Sequence, residues 1–321
     1  MNVRTLVLGA LAASLLVAPL RSEAQTPRKV YRVGYLTTGG SASVDGFRES
    51  MRAKGYVEGR NLVIESRIAS GQLERLPQFA AELVAARVDL IVAASPPAIR
   101  AAQGATTTIP IVMAFTSTDP VQDGFVKSLA RPGGNVTGVA IIADELAGKR
   151  LQKLKEALPR VTRIAILAQA GHSSSAGQVR ASRQAAAELG IEVDVFEVRG
   201  PADYEQAFAK AATRASAIFI LANPAFAENA KVLAALAIRH RLAALCEWKQ
   251  MVAAGCFMSY GPVFGDLDVR TAAIIDRILR GASPADLPVE RPDKFDLSFN
   301  LNTAKALSIT IPKALLQEAV P

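Results

Sequence analysis

The 321-residue sequence predicts an α/β protein made of two doubly wound lobes with parallel sheets. Three observations carry that expectation. From Val30 onward, short apolar runs alternate with segments of helical period. The turn-rich stretch Ala130-Arg131-Pro132-Gly133-Gly134-Asn135 interrupts the alternation. The same rhythm then restarts without any repetition of sequence.

Taken in order, Val30 to Leu36 reads as a strand, and Val44, Phe47 and Met51 form a helical stripe that stops at Gly55. A second strand spans Leu62 to Arg67. Leu76, Phe79, Ala80, Leu83 and Val84 follow at i, i+3, i+4, i+7 and i+8, which is one apolar helix face. Asp89 to Ala94 and Ile109 to Phe115 read as buried strands flanking a helix near 97–103, and a helix over 121–129 closes this half. Val136 to Ile142 is extended and leads into helix 144–158. The second series has strands at Arg163 to Ala168, Glu192 to Val198, Ala217 to Leu221 and Ala243 to Cys246. Helices near 176–189, 203–214 and 226–240 separate them. Cys256 to Tyr260, helix 265–280 and the extended Lys294 to Phe299 are too few for a third domain, so they return to complete the first two. The expected partition is 30–142 with 257–283 as lobe 1, and 143–256 with 290–321 as lobe 2. A chain that crosses repeatedly between lobes makes a hinge and a cleft that can close.

Residues 1–24 read as a cleavable export signal. Arg4 supplies the positive end, Leu6 to Leu20 an apolar run, and Ser22-Glu23-Ala24 small residues before a cut at Gln25. The run falls short of the roughly 20 apolar residues that span a bilayer, and Pro19 ends it. With no cysteine at the cut, the expectation is a freely diffusing periplasmic protein. The formal net charge of +8 is spread along the chain and never condenses into a basic stripe with interleaved aromatics, so nucleic-acid binding is not expected. Cys246 and Cys256 are the only cysteines. They fall at the end of one strand and the start of the next, positions that usually lie far apart, so two buried thiols are favoured over a bridge.

Ligands of open α/β sheets bind beyond the carboxyl ends of strands. Those places hold Thr37-Thr38-Gly39-Gly40-Ser41, Ser95-Pro96-Pro97 and Thr116-Ser117-Thr118-Asp119-Pro120 in the first half. In the second they hold Gln169 with His172-Ser173-Ser174-Ser175, then Asn223-Pro224, Glu247-Trp248, and Ser259-Tyr260-Gly261-Pro262 ahead of Phe264. Hydroxyls, amides and helix N-termini can hold a carboxylate or another small polar head without transforming it. Each Ser, Thr or Asn alone is equally well explained as a helix cap, but seven such loops at one cleft favour binding. The candidate ligand-binding residues are Thr38, Ser95, Pro96, Ser117, Thr118, Asp119, Asn223, Glu247, Tyr260 and Phe264.

Enzymatic readings find little support. Gly171-His172-Ser173-Ser174-Ser175 lacks the glycine that a hydrolase nucleophile elbow needs at Ser175. No GxGxxG or GxxxxGK[ST] occurs and no cluster has metal-ligand spacing, so no catalytic residue, cofactor or metal is expected. A sensor's ligand-binding module is the alternative, and an enzyme using the same cleft stands behind it.

The ordered motifs Gly55-Tyr56-Val57-Glu58-Gly59-Arg60-Asn61-Leu62, Thr118-Asp119-Pro120-Val121, Ser128-Leu129-Ala130-Arg131-Pro132-Gly133-Gly134-Asn135-Val136-Thr137-Gly138, Met258-Ser259-Tyr260-Gly261, Pro284-Ala285-Asp286-Leu287-Pro288-Val289-Glu290 and Asn302-Thr303-Ala304-Lys305-Ala306-Leu307 span essentially the whole mature chain. They closely resemble the ABC-transporter substrate-binding family that includes the tryptophan/tyrosine-type periplasmic binding proteins. The resemblance implies a type I periplasmic-binding fold with Rossmann-like lobes and a three-segment hinge. It also implies a monomer that delivers a small-molecule ligand to a permease with a cytoplasmic ATPase. By the same resemblance Ser95, Thr118 and Asn223 hold ligand. Amino-acid-binding members carry an acid followed by paired tyrosines in the loop after Met258 to Tyr260, where this chain has Gly261-Pro262-Val263-Phe264-Gly265-Asp266. Unless Asp266 or Glu247 substitutes, a carboxylate without an amine fits these residues better than an aromatic amino acid.

Overall fold

A computed structural model of the protein describes residues 29–39 and 42–320; the export signal expected over 1–24 and the Gly40-Ser41 pair lie outside the described residues. The first lobe is built from β1 (Tyr31–Thr37), α1 (Ala42–Ala53), β2 (Leu62–Ile68), α2 (Leu76–Ala85), β3 (Leu90–Ala94), α3 (Pro96–Ala105), β4 (Ile111–Thr116) and β5 (Val136–Ala140). Its five strands run in the order β2-β1-β3-β4-β5, and every pairing is parallel. The chain continues through α4 (Ala143–Ala157), β6 (Arg163–Gln169), α5 (Ser173–Glu188), β7 (Glu192–Val198), α6 (Tyr204–Ala212), β8 (Ala217–Ile220), α7 (Pro224–Glu228), α8 (Ala230–Arg239), β9 (Ala243–Cys246), α9 (Lys249–Ala253) and β10 (Met258–Pro262). Then come α10 (Phe264–Leu279), β11 (Phe295–Phe299), α11 (Leu301–Ala306) and α12 (Lys313–Glu318). The second sheet has the order β11-β10-β9-β8-β6-β7, in which only the β10–β11 pair is antiparallel.

The strand sequences account for this layering. All residues of β3, β4, β8 and β9 are buried, which is why they read as unbroken apolar runs rather than alternating ones. On one face of the first sheet, Leu36, Ile91 and Met113 pack with Leu76, Phe79, Ala80 and Leu83 of α2. Ile164, Phe219 and Leu245 of the second sheet pack with Leu151 and Leu154 of α4. The remaining cluster runs from Tyr35, Phe47 and Phe115 of the first lobe into Phe226 and Trp248 of the second, so the cores are continuous across the seam.

Four expectations need correction. Residues 121–129 form turns instead of a helix, because the Asp119 carboxylate accepts the Val121 and Gln122 amides and Gly124 adopts a left-handed φ of 73°. The helix expected over 226–240 is two, α7 and α8, meeting at Asn229, whose side chain bonds the Ala225 carbonyl. Met258–Pro262 belongs to the second sheet and not to lobe 1: β10 pairs with β9 on one side and β11 on the other. What returns is α10 with the segment that follows it to Glu290: α10 packs on β4 and α1, the Thr271 hydroxyl donating to the Ala114 carbonyl at 3.0 Å, and the Thr137 hydroxyl donates to the Leu287 carbonyl at 2.7 Å. Finally, Cys246 and Cys256 are buried and free, yet not far apart. Burial and a hydrogen bond with the Cys256 thiol push the Cys246 thiol well above its ordinary range.

The lobes are joined by three crossings, at 140–143, 262–264 and 290–295. Val139 bridges Glu290, so the first and third crossings run side by side. Arg270 reaches Asp266, Glu290 and Asp293, tying the second crossing to the third. No described helix is long and apolar enough to cross a membrane.

Candidate functional site

The carboxyl ends of the two sheets face one seam, and the polar residues there are buried. Thr38, Ser95 and Thr116 are fully buried, and Ser117, Thr118, Gln169, Asn223, Glu247 and Ser259 are each buried as well. On the first lobe, the Thr38 hydroxyl donates to Ser95 Oγ at 3.2 Å. Thr116 and Thr118 share a hydroxyl contact at 3.0 Å, and the Thr118 hydroxyl donates to Asp123 Oδ2 at 2.5 Å. Ser95 precedes α3, where the chain must turn from strand to helix, and it holds φ at 129°, a region that costs a residue with a side chain of order 1–3 kcal/mol. Pro96 is the first residue of α3, a place where a missing amide hydrogen costs nothing.

The second lobe presents amides and charges. Asn223 caps α7 by accepting the Ala225 amide at 2.7 Å, and its own amide donates to Gln169 Oε1 at 2.6 Å. Gln169 then donates across the seam to the Gly71 carbonyl of the first lobe at 3.2 Å. Phe115 and Trp248 meet edge to face across the same seam, with ring centroids 5.8 Å apart. A methyl on Gly39 would sit 2.9 Å from Pro224 Cβ. The lobes are therefore closed on each other.

Deepest in the second lobe lies an ion pair. Arg150 of α4 and Glu247 at the end of β9 are each 1 % exposed, and Nη2 meets Oε1 at 2.5 Å. The same guanidinium donates to the Tyr260 carbonyl at 2.9 Å and to the Ala143 carbonyl at 3.3 Å. Burial pushes the Glu247 carboxyl above the usual carboxylate range, against the pull of Arg150. Glu247 Oε2 and Ser259 Oγ have no partner among the described residues. Gly261 lets β10 run close: a Cβ there would fall 2.0 Å from the Glu247 carbonyl oxygen.

Thr38, Ser95, Thr118, Asn223 and Glu247 thus sit on the two rims of one closed seam, with Ser117 buried beside Thr118. Three candidates stand otherwise. The Asp119 carboxylate is occupied in capping its own turn. The Tyr260 ring stacks on Phe295 of the edge strand, 6.1 Å between centroids, so it serves the packing of lobe 2 while its carbonyl serves Arg150. Phe264 opens α10, and its side chain lies outside the described residues. Asp266, one of two acids that could replace the missing one, is held by Arg270 at 2.6 Å. Arg150 escaped the sequence reading. Its signal was a charged residue at an apolar position, since Ala147, Leu151 and Leu154 bury the same helix face. No group of three or more His, Cys, Asp or Glu residues placed to hold a metal occurs among the described residues.

Comparison with known proteins places this geometry. The family model for ABC transporter substrate binding proteins matches residues 38–321. The tyrosine-binding protein of Clostridioides difficile (strain R20291) is 27 % identical over 265 residues, covering 82 % of this chain and 76 % of that protein. A conserved domain protein from Vibrio cholerae superposes with a TM-score of 0.84 at 29 % identity, over 91 % of this chain and 99 % of its own. An ABC domain from Streptococcus pneumonia in complex with L-Trp gives a TM-score of 0.82 at 27 % identity, over the same shares of both chains. Fold, seam and match together establish that the chain belongs to the ABC transporter substrate-binding protein family.

Proposed function

We propose that the protein captures a small organic solute for an ABC importer, closing its lobes over a carboxylate or amino-acid-like ligand outside the cytoplasm. The observation that carries this reading is the closed seam itself, where buried polar groups of both sheets converge and Glu247 Oε2 and Ser259 Oγ are left without partners among the described residues. Buried polar groups without partners cost about 1–3 kcal/mol each, so a ligand that satisfies them is held firmly. Relatives that bind tyrosine and L-Trp put aromatic carboxylates within the class. The loop Gly261–Asp266 departs from the acid followed by paired tyrosines that amino-acid-binding members carry, and its one acid, Asp266, is engaged by Arg270. Glu247 is already paired with Arg150, so its charge requires no ligand amine, while its Oε2, unpartnered among the described residues, is satisfied by any hydrogen-bond donor on the ligand.

Capture works by differential affinity: a ligand that contacts both rims favours the closed form over the open one. Thr38, Ser95 and Thr118 offer hydroxyls from one side, while Asn223 and Gln169 offer amides from the other. Delivery then needs a permease that recognises the closed lobes and an ATPase behind it, and the binding protein acts as a monomer. The test is a thermal-shift panel of carboxylates and amino acids, aromatic ones included, followed by calorimetry on each hit. At least one carboxylate should raise the melting temperature, with weaker binding by Ser95→Ala and Asn223→Ala. A broad panel without a hit overturns the reading. Sequencing the exported protein's N-terminus should find Gln25 first.

A further inference from the structure

A second polar feature lies on the flank of lobe 2, away from the seam. A groove of about 910 Å³ runs between α5 and the edge strand β7; it takes in part of the strand-end loop His172–Ser175 and shares Gln169 with the seam described above. Its wall includes His172, Ser173, Arg180 and Arg183, with Val179 and Val195 as the apolar part. Glu197 also lines it, leaving the wall with one net positive charge. Arg180 and Arg183 are exposed; Asp144 of α4 lies against α5 near enough to feel the charge of Arg180, and Arg183 makes no ion pair among the described residues. The sixteen-residue α5 begins here with no acid in its first turn and no side-chain cap, so the positive end of its dipole is uncompensated.

The hydrogen-bond chain beneath fixes what His172 offers. The Ala222 amide must donate, and it does so to Gln178 Oε1 at 2.9 Å. Gln178 Nε2 therefore carries the hydrogens, which go to the Ala222 carbonyl and to Ser174 Oγ, each at 3.2 Å. Ser174 Oγ accepts from Gln178, and the acceptor left for its own hydrogen is His172 Nδ1 at 2.8 Å. That leaves the proton of the ring on Nε2. This N–H has no partner among the described residues, although His172 is only 4 % exposed. Burial also drives the ring's pKa down to about 4, so it is neutral at physiological pH. A buried donor oriented through three residues and then left unused is an expensive arrangement unless something accepts from it.

From these observations we infer that the groove between α5 and β7 is a second binding site, which takes a small amphipathic anion. Its anionic head accepts from His172 Nε2–H and lies by the α5 N-terminus and the two guanidiniums, while its apolar body covers Val179 and Val195. A carboxylate and a phosphate offer the same acceptor chemistry here. The site is independent of the seam, because its charges and its donor belong to α5 and the loop before it.

The experiment uses the full mature protein with hexanoate and inorganic phosphate as anionic probes, and hexanamide as the uncharged match of hexanoate. The reporter is the His172 imidazole in ¹⁵N-correlated NMR, which also reads the tautomer directly. Trp248 fluorescence reports the seam separately. The expected result is an Nε2–H tautomer whose signals move saturably with hexanoate and do not move with hexanamide. Arg180→Gln/Arg183→Gln should weaken that binding about tenfold while leaving the Trp248 response to seam ligands unchanged. Both arginines are exposed, so this variant should fold, which an unchanged unfolding curve checks. His172→Gln should weaken the protection of the protein by hexanoate in the same direction. Phosphate binding as tight as hexanoate would show that the head alone is read and would overturn the amphipathic assignment. An Nδ1–H tautomer, equal shifts with hexanamide, or unchanged affinity in the double variant would overturn the site.

Discussion

The two rims of the seam solve one problem with different chemistry. The first lobe offers short hydroxyl side chains that satisfy one another, Thr38 with Ser95 and Thr116 with Thr118, and holds them on a strained strand-to-helix turn at Ser95. The second lobe offers long side chains whose heads are fixed by relays: Gln169 by Asn223, and Glu247 by Arg150. A hydroxyl can rotate its hydrogen to suit a ligand, so the first rim adapts at small cost. Amides and ions in fixed relays cannot, so the second rim sets polarity and orientation. The first lobe should therefore govern how tightly a ligand is held, and the second which ligand is accepted.

The largest effect that could break this comparison lies at Arg150. Arg150→Met leaves the Glu247 carboxyl buried without its cation, and should cost about 3–5 kcal/mol in urea unfolding. The double variant Arg150→Met/Glu247→Leu should recover most of that loss, since a buried pair replaced by apolar groups is often neutral or stabilising. If Arg150→Met alone is tolerated, the second rim is not held by this pair.

A smaller effect is expected of Asp268 in α10. Burial pushes its carboxyl up from 3.8 to about 6, and no cation pairs with it among the described residues. A folded-state pKa above the unfolded one means that the folded protein binds the proton more tightly. Its contribution is present below pH 4 and is lost as pH rises from about 4 to about 6. Asp268→Asn should flatten that fall and leave the protein more stable at pH 7 by about 1–3 kcal/mol, read from unfolding curves at several pH values.

Asn223→Ala removes the α7 cap and frees Gln169 together. It should cost about 1 kcal/mol of stability and weaken ligand binding about tenfold by calorimetry, sharpening the contrast because both losses fall on the second rim. The smallest change is Ser95→Gly. It relieves the positive φ and removes one hydroxyl, so stability should rise by about 1 kcal/mol while affinity falls modestly. A gain in both would show that the first rim does not grip the ligand.

The layout of the fold could be read from the sequence because periodicity reports burial. The unbroken apolar runs of β3, β4, β8 and β9 and the apolar face of α2 are all where the pattern put them. What escaped was set by contacts remote in sequence. Met258–Pro262 looks the same whichever sheet it joins, and only pairing with β9 and β11 assigns it. Residues 121–129 have helix-compatible spacing, but a local Asp119 turn and Gly124 override it. At the seam, strand-end placement correctly located Thr38, Ser95, Thr118, Asn223 and Glu247 as buried polar residues. It missed Arg150, and it named Ser174 only as one hydroxyl of a strand-end loop, apart from Gln178 and Ser182. Their i, i+4, i+8 spacing reads as a wet helix face, yet all three are buried. Polar spacing alone does not say whether water or a hydrogen-bond relay satisfies the groups.

Arg150 has one more consequence, in the mechanics of opening. Its guanidinium holds the Ala143 carbonyl just past the first crossing and the Tyr260 carbonyl just before the second. Arg270 fastens the second crossing to the third. Three strands of chain that could each bend on their own are thereby laced into one joint. A joint laced in this way should confine the lobes to a single rotation, so opening should follow one exponential in a stopped-flow trace, and a looser joint should reveal itself as a second phase.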